Sequence, residues 1–464
     1  MLVGMAFYSR PAGAESLQEA LTDAYLINPS LNAERARLRA TDEQVAIAKS
    51  GLRPVITSSG DTSFQNFESN IKSGSRIGQA NFGQGGSISS DGVTHPHGYS
   101  VQLTQPIFEG FQNLNAIRQA KSTVQAGRES LRNIEQTTLL DASTAYVNVV
   151  RDTAVVRLRE NNVTVLSEQL KQTRDRFNVG EVTRTDVAQA EARRSGAIAD
   201  LNVAQANLKA SRATYEQIIG HPPGNLVNPT SILQLLPRTL DEAMTQGDGE
   251  NPVILGAVYQ EEASLYSVNQ IIGELLPQVT LQAQYQERFD SSSVLDAQQT
   301  TTVTGRVNVP LYQGGEVAAR IRQAKETNNQ LKKFVEDARL RVHADVVSNW
   351  GILQSTAAEI QSARAAVDAN RIALEGVREE EKVGQRTTLD VLNAQLELLT
   401  SQIGLVTALR DRVVAEYSLY AAVGRLDAQS LALSVPYYDP IEHYDTIKNK
   451  WFGLTPPPPP TPDE

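Results

Sequence analysis

The chain of 464 residues carries 43 Lys and Arg against 53 Asp and Glu, a formal net charge of −10, with no cysteine and only 6% aromatic residues. The lack of cysteine excludes a thiol nucleophile, a disulfide framework and any Cys-ligated metal or cluster. The acidic balance without Lys/Arg blocks argues against a nucleic-acid partner, whose affinity rests on neutralising phosphates.

The first residues, MLVGMAFYSR, are mostly apolar, and Ala12-Gly13-Ala14 before Glu15 has the small-x-small form of a signal-peptidase site. Residues 1–14 therefore read as the remnant of a signal peptide, one lacking a basic start because no Lys or Arg precedes Arg10. A first helix is expected at about 17–50. Beyond it an internal repeat governs the rest of the chain. Leu17, Asn28-Pro29 and Pro54 recur as Leu240, Asn251-Pro252 and Pro277, each 223 residues later. From Gln105-Pro106-Ile107-Phe108, matched by Val309-Pro310-Leu311-Tyr312, the offset is 204, and Ile117 to Lys121 recurs identically as Ile321 to Lys325. The difference, 223 − 204 = 19 residues, is a loop enlarged in the first copy between 55 and 105.

Each copy follows its first helix with a segment of period 2. Val279, Leu281, Ala283 and Tyr285 alternate with Gln278, Thr280, Gln282 and Gln284; Thr302 to Val309 and Tyr99 to Thr104 alternate likewise, and Val55 to Phe67 less cleanly. Strands of roughly 10 residues with one apolar and one polar face, joined by Gly/Ser/Asn-rich loops, suit a membrane β-barrel. Long helical patterns begin at about 112 and 316. Ile117, Val124 and Leu131 fall seven apart, as do Val149, Val156, Val163, Leu170 and Phe177, which is coiled-coil spacing. After a break near Gly180 a second helix is expected at 186–219. After Gly384 an apolar stripe runs through Leu392, Leu396, Leu399, Ile403, Val406, Leu409 and Val413.

The expected organisation is a first repeat at 15–237 (β-hairpin about 54–106, helical hairpin about 112–219, tip near 180). A second repeat follows at 238–425 (β-hairpin about 277–310, helical hairpin about 316–423, tip near 384). A C-terminal extension at 426–464 ends in a proline-rich tail, Pro456 to Pro460 and Pro462, too polar to join a core. No run of 18 apolar residues occurs, so no transmembrane helix is expected. Two hairpins supply four strands, which cannot close a barrel, and open sheet edges cannot sit in hydrocarbon. Membrane strands of this chain must therefore join a shared barrel: two copies give 8 strands around a filled interior, three give 12 around a wet one.

These features resemble the TolC family of outer-membrane channel proteins, from Ser16-Leu17 through Gly424. The most specific motif is Val383-Gly384-Gln385-Arg386-Thr387-Thr388-Leu389-Asp390-Val391-Leu392, with its partner Val179 to Val187. The resemblance implies a mainly α fold with a transmembrane β-barrel: a homotrimer with a 12-stranded barrel in the outer membrane of a Gram-negative bacterium and a 12-helix periplasmic α-barrel. It implies an exit channel of a tripartite efflux pump or type I secretion system, exporting drugs, detergents or proteins. Its partners would be a periplasmic adaptor (membrane fusion) protein and an inner-membrane pump or ABC transporter. Thr185, Asp186, Arg386 and Asp390 would form the periplasmic gate, with Val179, Gly180, Val383 and Gly384 at the tip turns that meet the adaptor. An Arg–Asp link between hairpins is a charge-assisted latch that a partner could break, although Asp186 and Asp390 also suit the first turn of a helix. The best-studied family member has a second Asp one turn beyond the position of Asp390; here it is Asn393, so weaker cation selectivity is expected.

Elsewhere the residues offer no chemistry. His95-Pro96-His97 lies in the longer hairpin loop and reads as solvated; His221, His343 and His443 are scattered. No His-Glu-x-x-His, Walker or Ser–His–Asp signature occurs, so no catalytic, cofactor or metal site and no enzyme are expected. Glu261-Glu262 and Glu379-Glu380-Glu381 read as solvated helix faces. The competing reading is a coiled-coil structural or adhesive surface protein without a channel.

Overall fold

The computed structural model describes residues 14–71, 88–292 and 295–457. All but Ala14 of the expected signal remnant, and the tail from residue 458 on, lie outside the described residues. A short strand β1 (Ala14–Glu15) leads into α1 (Leu17–Ile27). A reciprocal cap opens that helix: the Glu19 amide donates to Ser16 Oγ at 3.3 Å and the Ser16 amide to Glu19 Oε2 at 2.9 Å. Helix α2 (Pro29–Ser50) follows directly. The single helix expected at 17–50 is therefore two. Pro29 at the first helical position excludes Asn28 from helical geometry, and the Asn28 side-chain Oδ1 caps the new helix by accepting from the Ser30 and Leu31 amides at 2.9 and 3.3 Å.

Next come β2 (Val55–Thr62), β3 (Gln65–Ile71), β4 (Ile88–Thr94) and β5 (His97–Glu109). The helices α3 (Gln112–Asn178) and α4 (Arg184–Ile219) follow, then β6 (Asn225–Leu226), which pairs in parallel with β1. The second copy repeats the plan. It has α5 (Leu240–Glu250) and α6 (Pro252–Gly273), split at Asn251-Pro252 as in the first, then β7 (Gln278–Ser292) and β8 (Leu295–Asn308). The helices α7 (Glu316–Lys382) and α8 (Thr388–Ala422) complete it, and a short α9 (Glu442–Ile447) lies in the C-terminal extension.

The two copies share one antiparallel sheet of order β2-β5-β7-β8, joined at the β5–β7 pair. The period-2 pattern becomes two chemically distinct faces. Ile56, Leu103, Ala283 and Val303 line up across the strands on one face; Thr57, Gln102, Gln284 and Thr302 line up on the other. The edge strands β2 and β8 have no outer partner among the described residues. The enlarged first hairpin is not a plain loop: β3 and β4 form their own antiparallel ribbon. His95 and His97 flank the joint between ribbon and sheet rather than a loop tip. The His97 ring stacks on Phe289 at 5.3 Å, and His95 meets Phe64 edge-on at 5.3 Å.

The long helices α3 and α7 each have 67 residues, on the order of 100 Å at 1.5 Å per residue. In α3 the heptad residues Ile117, Val124, Leu131, Val149, Val156 and Leu170 are buried, whereas Phe177 near its end is exposed. On α4 the facing residues Ala190, Ala197 and Ala204 are also seven apart, which lets the backbones approach closely. The α8 stripe is only partly core: Leu392 and Leu399 are buried, but Leu396 and Leu409 are exposed on the isolated chain. Among the described residues no helix is long and apolar enough to cross a membrane.

The main core lies midway along the helices and contains Leu21, Leu139, Tyr146, Tyr215, Leu419 and Leu426. There the repeat landmarks meet. Asn28 Nδ2 donates to the Ile218 carbonyl at the end of α4, and Asn251 Nδ2 to the Ala422 carbonyl at the end of α8, both at 2.9 Å. Gly220 and Gly424 end those helices at φ +99° and +89°, a left-handed conformation costly for any residue with a Cβ. A Cβ on Gly424 would also lie 2.6 Å from Asn251 Cα. The two offsets in the sequence, 223 and 204, thus belong to two sides of one contact made twice.

Asn251→Ala, losing cap and clamp together, should cost about 2 kcal/mol of stability, and Gly424→Ala more, read as lowered unfolding midpoints of detergent-solubilised protein. A second expectation concerns Glu135 on α3, which accepts the Ala428 amide at 2.8 Å. Burial pushes its carboxyl from 4.5 up to about 7. As pH rises through that window the unfolded chain releases this proton first, so the contribution of Glu135 to stability falls and then levels off above the folded-state value. Glu135→Gln keeps an acceptor for Ala428 and should remove that slope. Its unfolding midpoint should match the wild type at the acidic end of the window and exceed it at the alkaline end.

Candidate functional site at the helical tips

Each helical hairpin turns in a few residues at the end farthest from the sheet. At the first tip the Gly180 amide donates to Phe177 O at 3.0 Å and the Glu181 amide to Arg176 O at 2.9 Å; at the second, Gly384 bonds Glu381 O at 3.0 Å and Gln385 bonds Glu380 O at 2.9 Å. Gly180 and Gly384 take φ +82° and +77° with open space around them, so backbone conformation alone requires glycine. The valines before them, Val179 and Val383, are 73% and 70% exposed, leaving two apolar side chains at the apex of each chain.

The returning helices α4 and α8 start with identical caps. The Asp186 amide donates to Thr183 Oγ1 at 3.3 Å while the Thr183 amide donates to Asp186 Oδ2 at 2.9 Å; Thr387 and Asp390 repeat this at 3.3 and 3.0 Å. Both aspartates therefore sit in the favourable first turn. Hydrogen bonds from the Thr387 backbone and hydroxyl, with the nearby Arg386 charge, hold the Asp390 carboxyl below its usual range. Thr185 lies one residue before Asp186 and is exposed. Arg386 reaches back over its own turn, its Nε donating to Glu380 Oε2 at 2.9 Å, so within one chain it does not contact the other hairpin. The first tip makes the same closure with the charges exchanged: Arg176, the counterpart of Glu380, bonds Glu181 at 3.2 Å.

The groups that do join the two hairpins are others. Arg176 Nη1 lies 2.8 Å from Glu381 Oε1, which also accepts from the buried Thr388 hydroxyl at 3.2 Å. One turn along, Arg193 Nη2 donates to Asn393 Oδ1 at 2.8 Å. Leu392 packs with Leu166 and Ala197 beneath them. The run Glu379-Glu380-Glu381 is thus not a merely solvated face: Lys382 pairs with Glu379 at 2.6 Å, Arg386 with Glu380 at 2.9 Å, and Arg176 with Glu381 at 2.8 Å. A signal for this was present, since three carboxylates in the last turn of a helix oppose its dipole and call for cations. The pairs Lys382–Glu379 and Arg386–Glu380 are exposed and therefore weak, and Arg176–Glu381 is half-buried, its glutamate 14% exposed. A link made of a few such contacts can be exchanged by a docking partner without unfolding either hairpin.

The chain matches the family model described as "Outer membrane efflux protein" over residues 20–221 and 248–425, one stretch in each repeat. It is 41% identical to the outer membrane efflux protein BepC of Brucella suis over 459 residues, 98% of this chain and 96% of that protein. It is 25% identical to the outer membrane protein TolC of Escherichia coli, over 94% of this chain and 89% of that one. Among solved structures, the CmeC outer membrane channel of Campylobacter jejuni has the same fold, with a TM-score of 0.77 at 15% identity over 94% of this chain and 89% of that chain.

Proposed function

The chain belongs to the outer membrane efflux protein family, and from that premise we propose a homotrimeric exit duct. It is an outer-membrane channel for efflux or secretion whose helical portion lies in the periplasm. The family is one of channel proteins. Three copies of the four-stranded sheet complete a barrel of twelve strands, the polar rows facing water and the apolar rows lipid. The two helical hairpins of each copy continue as a twelve-helix tunnel on the same axis. The observation that carries this reading is the sheet itself, which among the described residues has two unlike faces, no covering layer and no outer partner at either edge. A coiled-coil scaffold or adhesin has no use for such a sheet.

The tips form the periplasmic gate. Asp186 and Asp390, ordered by their caps, ring the mouth with Thr185, and Arg386 with its Glu380 partner stiffens the second turn. The exposed Val179 and Val383, on turns set by Gly180 and Gly384, present the surface to a periplasmic adaptor. The adaptor couples the duct to an inner-membrane pump or ABC transporter. Docking exchanges the weak links Arg176–Glu381 and Arg193–Asn393 for contacts with the adaptor, and the hairpins splay apart. Because Asn393 supplies no carboxylate, the mouth carries a single acidic row at this level, and its preference for cations is modest.

Single-channel recording in planar bilayers tests the gate. Wild-type protein should show small conductance, and Arg386→Ala and Glu381→Ala should each raise it about twofold or more. A wild-type pore already fully open and unchanged by both substitutions would overturn the gating roles.

A further inference from the structure

The C-terminal extension does more than fill the core. After α9 it runs along α2 toward the sheet, and closely made contacts hold it there. His443 Nδ1 lies 3.1 Å from Asp42 Oδ2, both side chains almost fully buried. Lys49 Nζ donates to Asn449 Oδ1 at 2.7 Å, and Arg53 Nη1 to the Lys450 carbonyl at 2.8 Å. The Arg53 guanidinium also lies over the Trp451 ring at 4.6 Å. Arg53 is two residues from Val55, where β2 begins, so Trp451 is fixed at the rim where the sheet gives way to helices.

What the strap presents there is apolar and uncovered: Trp451 is 58% exposed, Phe452 86% and Leu454 104%. This pinned segment displays three large apolar side chains within four residues, whereas Leu431, Leu433 and Ile447 earlier in the extension are buried and Tyr437 and Ile441 are only half exposed. The flanking charges are mostly cationic. Lys448 is paired with Asp445 at 2.7 Å, but Lys49, Arg53, Lys121 and Lys450 have no carboxylate partner among the described residues. The crowding of Lys49 by Lys121, Lys448 and Arg53 adds to its burial in lowering its pKa. A cluster of cations beside exposed aromatic residues, at the rim of a sheet with an apolar outer face, matches an anionic bilayer surface in both charge and polarity.

We infer that Trp451-Phe452-Gly453-Leu454 is an interfacial anchor, which inserts its side chains among the phospholipids of the periplasmic leaflet while Lys49, Arg53, Lys121 and Lys450 hold anionic headgroups. The inference rests on the reading of the β2-β5-β7-β8 sheet as membrane-embedded. It gives the barrel an aromatic girdle from outside its own strands.

The chain has only two tryptophans, and Trp350 packs against the helical cores far from the rim, so lipid-borne quenchers can test this directly. Full-length protein is reconstituted into vesicles of phosphatidylethanolamine and phosphatidylglycerol carrying a share of brominated phospholipid. About half of the wild-type emission should be quenched, and almost none in Trp451→Phe. Lys49→Gln with Lys450→Gln should reduce the quenching in these vesicles but not in vesicles of phosphatidylcholine alone. Val303→Trp in the Trp451→Phe background puts a reporter on the apolar face of the sheet. If that reporter is quenched while wild type is quenched no more than Trp451→Phe, the anchor is wrong and the membrane sheet stands. If neither is quenched, the sheet is not in the bilayer and the premise fails instead. Trp451 quenched only by aqueous iodide, or by neither agent because a second copy covers it, also overturns the anchor.

Discussion

A backbone amide or carbonyl left without a partner in hydrocarbon costs several kcal/mol, and everything else in this chain follows from how that demand is met. Four strands leave two open edges, β2 and β8. A soluble protein could blunt such edges with charges or cover them with a helix, but among the described residues neither edge has an outer partner. In the proposed duct further copies of the same strands satisfy them, and assembly completes the fold of one chain. The same logic explains the composition. A wall one layer thick around water needs few aromatic residues and little deep core, so in the proposed duct a chain of 464 residues with only 6% aromatics need not form several globular domains.

The duplication carries that wall from the membrane to the helical tips. Each repeat contributes a pair of strands to the sheet, a long and a shorter helix to the helical body, and one Asn-Pro joint to the midpoint. Asn28 against the end of α4 and Asn251 against the end of α8 fix where the incoming helix pair crosses the returning helix. These joints are buried and sterically exacting, whereas the tips are held by exposed or half-buried ion pairs and one small apolar cluster. Stability is therefore concentrated at the middle, and the region assigned to gating is held less firmly.

Much of this was legible in the sequence because the signals are local. Val279, Leu281, Ala283 and Tyr285 announce a two-faced strand, and Thr387 with Asp390 three residues later announces a helix start. What escaped was set by partners far apart in the chain. Asn28 and Asn251 stood out as landmarks, yet their partners lie 190 and 171 residues away, and the helix break at each Pro was absorbed into one long helix. The β3–β4 ribbon was taken as loop because its strands are rich in Ser, Asn and Gly. Arg176 was passed over because Glu381, its partner across the hairpins, is 205 residues distant. Arg386, chosen on resemblance, turns out to close its own turn.

The central claim is that neighbouring copies complete the sheet, three chains in all. The mass of the detergent-solubilised complex, measured with its non-covalent contacts intact, tests it most directly. A particle of three times the mass of one chain is predicted. A stable particle of one chain, or of two chains whose eight strands would close around a filled interior, would contradict the account.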